Sequence, residues 1–112
     1  MIEKTVIEYL SDELTVPVVA EDGKNPPQEY VKVEKTGSGQ TNHIKNAMLA
    51  IQSYGASLLE AAALNETVKE KMMLLAELPE IASCRLNTDY NFTDTATKRY
   101  RYQAVFDVYY YE

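Results

Sequence analysis

Lys98–Tyr111 is the segment that most constrains how this chain can fold. Tyr100, Tyr102, Ala104, Phe106, Val108 and Tyr110 fall on one face of an extended chain; Arg99, Arg101, Gln103, Val105, Asp107 and Tyr109 fall on the other. Period-two alternation over such a run predicts a strand of roughly 45 Å, at about 3.3 Å per residue. A strand that outruns a small domain needs a long partner strand or another subunit. That points toward assembly rather than catalysis.

Ala82–Phe92 supplies a candidate partner. Ala82, Cys84, Leu86, Thr88, Tyr90 and Phe92 alternate with Ser83, Arg85, Asn87, Asp89, Asn91 and Thr93. The apolar faces of both segments carry even numbers, so direct pairing requires an odd number of loop residues or a bulge. A three-residue loop, Asp94–Ala96, would set Tyr90 opposite Tyr100 and Asp89 opposite Arg101, giving aromatic and opposite-charge cross-strand pairs. The expectation is a long antiparallel hairpin.

Upstream, Ile2, Val6, Tyr9 and Leu10 form a helical stripe that predicts an amphipathic helix over residues 2–13. Thr15–Ala20 is β-branched, but Pro17 cannot donate to a ladder, which places it at an edge or a strand start. Tyr30–Lys35 predicts a second strand, and Thr36–Asn42, with two glycines, a flexible loop. Ile44–Tyr54 reads two ways: Ile44, Ala47, Met48 and Ile51 fit a helical period, whereas a strand buried on both faces would also be apolar throughout. Ser57 and Glu60 have capping-box spacing. Leu58, Ala61, Leu64, Val68, Met72, Leu75 and Leu78 then mark a helical stripe that Pro79 must end, with Asn65–Thr67 a candidate kink.

The chain has 112 residues, 46% hydrophobic and 25% charged, which suits one globular domain over 1–112. A net charge of −6 argues against gripping nucleic acid through neutralised phosphates. Lys98, Arg99 and Arg101 form the one tight basic cluster, read as a solvated strand face. Cys84 is the single cysteine, so there is no internal disulfide and no cysteine metal site; it reads as a buried small hydrophobe. No apolar run has the length of a membrane span, and Met1–Thr5 lacks a signal peptide's basic head. A reducing cytoplasm is the expected compartment.

Catalytic and cofactor chemistry finds little footing. His43 is the only histidine and has no identifiable partner nucleophile or second ligand. Gly37-Ser38-Gly39 lacks the lysine and following helix of a phosphate loop. Asn87, Asp89 and Asn91 alternate as in a calcium loop, but Phe92 stands where glycine is needed and Lys98 where the bidentate glutamate is needed. They read instead as the wet face of a strand. No catalytic, metal or cofactor residue is expected, and the chain is not expected to be an enzyme.

Eight of the eleven aromatic residues lie between Tyr90 and Tyr111, and the even-numbered ones share a face with Cys84, Leu86 and Val108, which implies core packing under the long helix. Val105, Tyr109 and Tyr111 lie off that face. They are the candidate subunit-interface residues, since tyrosine offers a large rigid contact with a polar tip.

The order of elements, the run Ile51-Gln-Ser-Tyr-Gly55, Ser57-Leu-Leu-Glu-Ala61 and the closing Arg101-Tyr-Gln-Ala-Val-Phe-Asp-Val108 resemble the tail-terminator and head–tail joining proteins of long-tailed bacteriophages and prophages. These are packing signatures spread over nearly the whole chain rather than catalytic motifs. The resemblance implies an α+β domain: a mainly antiparallel sheet of about five strands, an N-terminal helix, one long helix and a long C-terminal hairpin. It also implies that Ile44–Tyr54 is a strand. Copies would form a ring, commonly sixfold, at the virion neck, capping the tail tube and meeting the head connector, with duplex DNA passing through and no membrane involved.

Overall fold

The computed structural model describes residues 1–111. It is an α+β fold with a five-stranded sheet in the order β1-β2-β3-β5-β4. The strands are β1 (Val18–Val19), β2 (Tyr30–Thr41), β3 (Ile44–Gly55), β4 (Ile81–Asn91) and β5 (Tyr100–Tyr111); the helices are α1 (Ile2–Glu13) and α2 (Leu58–Met73). Every pairing is antiparallel except β1 with β2. Pro17 precedes β1, whose ladder reaches only Val31 and Lys32 of β2, as the missing N–H requires of an edge.

The long strand has long partners on both sides. β5 pairs β3 from Ile44 opposite Tyr111 to Gly55 opposite Tyr100, and pairs β4 from Ile81 opposite Tyr110 to Asn91 opposite Tyr102. Ile44–Tyr54 is therefore a central strand, and its apolar character on both faces follows from its position. Ala47, Leu49 and Ile51 face the helices, while Ala50, Gln52 and Tyr54 are buried on the other side.

Both helices lie on one face of the sheet. Ile2, Val6 and Leu10 of α1 and Val68, Met72 and Leu75 pack with Val31, Val33, Leu49, Ile51, Ala104, Phe106 and Val108 into one core. The Tyr9 hydroxyl donates to the Lys71 carbonyl at 2.7 Å and ties α1 to α2. Ser57 caps α2 as its spacing predicts, accepting from the Glu60 N–H at 3.2 Å. The buried stripe is Ala61, Asn65, Val68, Met72 and Leu75; Leu58 lies off it, 38% exposed. The helix runs unbroken through Asn65–Thr67 and gives way at Leu74 to a 3-10 turn, Leu75–Glu77.

Two expectations are corrected. Thr36–Asn42 is not a loop, because β2 continues to Thr41 with Thr36 as a bulge. The turn is the two residues Asn42 (φ 50°) and His43 (φ 70°), between Thr41 and its partner Ile44. Positive φ at both central positions matches the twist of a hairpin, and asparagine and histidine tolerate it better than most residues.

The β4–β5 hairpin exists, but not in the expected register. Ala82 and Asn87 are bulges, and the second inverts the alternation beyond it. Tyr90 pairs with Gln103 rather than Tyr100, and Asp89 with Ala104 rather than Arg101. The connection is longer than Asp94–Ala96: Asp94 and Arg99 form a further bridge, and Lys98 adopts φ 55° at its end. Tyr90 and Phe92 consequently sit on the face away from the helices, not in the core beneath α2.

Candidate functional site

Among the described residues no helix covers the second face of the sheet, and this face carries the molecule's unusual chemistry. Val105 and Tyr109 both point there, Val105 between Ala50 and Thr88, Tyr109 between Asn46 and Ser83. Val105 is half-buried, whereas Tyr109 and Tyr111 are 44% and 51% exposed. Met48 on the neighbouring strand is 39% exposed and lies opposite Asp107, which stands between Val105 and Tyr109. The three candidate interface residues thus lie along one strand, Tyr111 at the end of the sheet. That strand is interior, however, and not at an edge. The edge next to it is β4, whose outer side pairs with no described strand.

At the opposite end of this face is a cluster that sequence reading did not find. Register places Tyr30 opposite Tyr54, and their rings stack with centroids 4.3 Å apart and planes 3° from parallel. The Arg99 guanidinium lies 4.8 Å from the Tyr54 centroid and 5.8 Å from that of Tyr30, and donates to the Tyr30 hydroxyl. Arg101 lies 4.4 Å from the Phe92 centroid and donates to the Phe92 carbonyl at 2.6 Å. Tyr30 in turn donates to Asp22 at 2.7 Å, and Lys32 holds the other carboxylate oxygen at 3.1 Å. The Tyr30 hydrogen bond, and behind it Lys32, keeps the Asp22 carboxyl below the usual carboxylate range although burial opposes this. Burial, reinforced by Asp22, raises the Tyr30 phenol.

A polar chain leads from this cluster across three strands. Arg101 donates to the Tyr54 hydroxyl at 3.0 Å, Tyr54 to Gln52 Oε1 at 3.3 Å, Gln52 to Gln103 Oε1 at 2.8 Å, and Gln103 to the Tyr90 hydroxyl at 2.5 Å. Gln52 and Gln103 are buried, and this chain gives their amides partners, as burial without water demands. The Asn87 bulge makes the last link possible by turning Tyr90 onto this face.

The other singled-out residues fall elsewhere. His43 is exposed in the hairpin turn, and Gly37–Gly39 is strand rather than a loop around an anion. Asp89 is not on a wet face: the Asn87 bulge turns it toward α2, where it accepts from Lys69 Nζ at 2.8 Å and Asn65 Nδ2 at 2.9 Å. Asn87 instead donates to Asp107 at 3.2 Å. Cys84 is buried, and burial, helped by the Asp107 charge, pushes its thiol up to about 12. Among the described residues no group of three or more His, Cys, Asp and Glu side chains could hold a metal ion, and no helix is long and apolar enough to cross a membrane. No protein-family model matches the chain, and no curated protein matches its sequence.

Proposed function

We propose that the chain is a structural protein of the phage or prophage neck, assembling into a ring, sixfold in the family it resembles, that caps the tail tube and joins tail to head. Tail-tube and head-connector proteins are the proposed partners, and the host cytoplasm is the site of assembly. No catalytic role is part of the proposal. The observation that carries the reading is the helix-free sheet face, on which the large side chains of Met48 and Tyr109 are exposed and Val105 is half-buried, beside the Gln52–Gln103–Tyr90 network. Exposed large apolar and tyrosine side chains on an uncovered sheet face are what a subunit contact would bury. Net acidity is compatible with a lumen through which DNA slides without being gripped. The direct test is gene context: capsid genes upstream and a tail-tube gene immediately downstream support the reading, and metabolic neighbours overturn it.

A second reading, a small non-catalytic ligand-binding or regulatory module, is favoured by one feature. A cavity of about 190 Å³ opens beside the Tyr30–Tyr54 stack, lined by Pro26, Pro27, Tyr54, Lys98, Arg99 and Tyr100 among others. A chain that stays monomeric and binds a small molecule there would favour this reading over the ring.

A further inference from the structure

We infer that the cavity between the Pro26–Gln28 segment and the Lys98–Tyr100 segment is a binding site for a carboxylate. The inference does not depend on ring assembly. Three observations carry it. First, the cavity wall contains two cations, Lys98 and Arg99, and no acidic side chain. Second, Arg99 is held by a phenol rather than by a carboxylate, although the Asp22 charge lies near enough to interact with it. A guanidinium has five N–H donors, yet among the described residues Arg99 makes one side-chain hydrogen bond, to the Tyr30 hydroxyl. Neither Arg99 nor Lys98 forms an ion pair with a carboxylate of the described residues. The acid nearest in the cluster, Asp22, is already occupied by Tyr30 and Lys32. Third, Arg99 already packs beside the stacked tyrosines and donates to Tyr30, so binding would not have to order a wholly free side chain.

Shape selects among anions. About 190 Å³ is a small cleft beside the ~300–1,000 Å³ of typical ligand pockets, and it suits a short ligand. Pro26, Pro27, Tyr54 and Tyr100 give apolar walls that suit the methylenes of a short organic acid better than inorganic phosphate. The planar fork of Arg99 matches a carboxylate with two parallel N–H···O bonds. The carboxylate has two possible sources, a free small dicarboxylate or an Asp or Glu side chain of another copy of this net acidic chain.

The test is titration of the ¹⁵N-labelled protein with succinate at constant ionic strength, with inorganic phosphate as comparator. The readouts are the Arg99 Nε–H and the Gly55, Ala56 and Tyr100 amides. The inference predicts saturating shifts confined to these groups, with affinity falling about tenfold in Arg99→Gln. Lys98→Asn, which tolerates the left-handed backbone there, should weaken binding less. Should Arg99→Gln fail to fold, Arg99→Lys serves, because a lysine keeps the charge and loses the fork. A dilution series distinguishes the source: if a second copy supplies the group, the same resonances shift with protein concentration and succinate competes. Shifts that never saturate, tighter binding of phosphate than of succinate, or binding unchanged in the Arg99 variant would each overturn the assignment.

Discussion

The Tyr30 and Tyr54 rings lie 4.3 Å apart and within 3° of parallel, with Arg99 and Lys32 beside them at the end of the β2–β3 pair. Both are almost fully buried although no helix covers their face. Tyr54→Ala should therefore cost about 3–5 kcal/mol in urea unfolding, as for buried aromatic residues elsewhere. Tyr30→Phe keeps the stack and loses both the hydrogen bond to Asp22 and the one from Arg99, at a cost of about 1–3 kcal/mol. A double-mutant cycle on Tyr30 and Tyr54 should return a coupling of about 0.5–1.5 kcal/mol. Zero coupling would show that the stack is mere proximity.

Gly55 admits no side chain. A Cβ there would lie 2.5 Å from the Ala61 backbone nitrogen and 2.9 Å from the Glu60 carbonyl carbon, so relief would require moving the start of α2. Gly55→Ala should cost about 1–3 kcal/mol, seen as a lower Tm. Gly39→Ala meets only the movable Asn46 side chain and should stay within about 0.5 kcal/mol of the parent.

Asp89 links the edge of the sheet to α2, and its carboxyl is held below the usual range, first by the Lys69 hydrogen bond and also by Asn65, against an opposing cost of burial. A carboxyl depressed in the folded state stabilises above its unfolded pKa of about 4, and that contribution is lost as pH falls through the lower folded value. Asp89→Asn should therefore be less stable than the parent at neutral pH, and the gap should close on acidification. A gap that is constant from pH 7 to about pH 2 would contradict this.

Cys84 should be inert. With its thiol pushed up to about 12, chiefly by burial, alkylation at pH 8 should run at least about a hundredfold slower in the folded protein than in denaturant. Equal rates would mean that this part of β4 opens readily.

Ser53 is fully buried, and its hydroxyl finds no partner among the described residues. Ser53→Ala should be neutral or stabilise by about 1 kcal/mol in urea unfolding. A clear loss would reveal a partner for the hydroxyl.

Much of the fold was legible because alternation and helical spacing are strong local signals. The stripe of α1, the Ser57 cap and the core face of β5 all appear where their residues predict. What was not legible traces to single inserted residues. Thr36, Ala82 and Asn87 each add one residue to a strand, and nothing in those side chains announces a bulge. Thr36 puts Tyr30 rather than Val31 opposite Tyr54; the turn alone, with Thr41 opposite Ile44, would have given the other register. Asn87 moves Tyr90 and Asp89 to opposite faces from those the even–odd rule assigned. The aromatic–arginine cluster was hidden for the same reason, since it exists only in the shifted registers. One signal was available: tyrosines near the ends of two neighbouring strands, with Arg99 and Arg101 on the matching face of a third.

If the helix-free face of the sheet is the proposed subunit contact, native mass measurement should find a ring near six times the 12.7 kDa protomer mass. That ring should be lost, with a folded monomer retained, in Tyr109→Ser/Tyr111→Ser. A 12.7 kDa monomer at every concentration, or a ring unchanged in that double variant, would contradict the proposal.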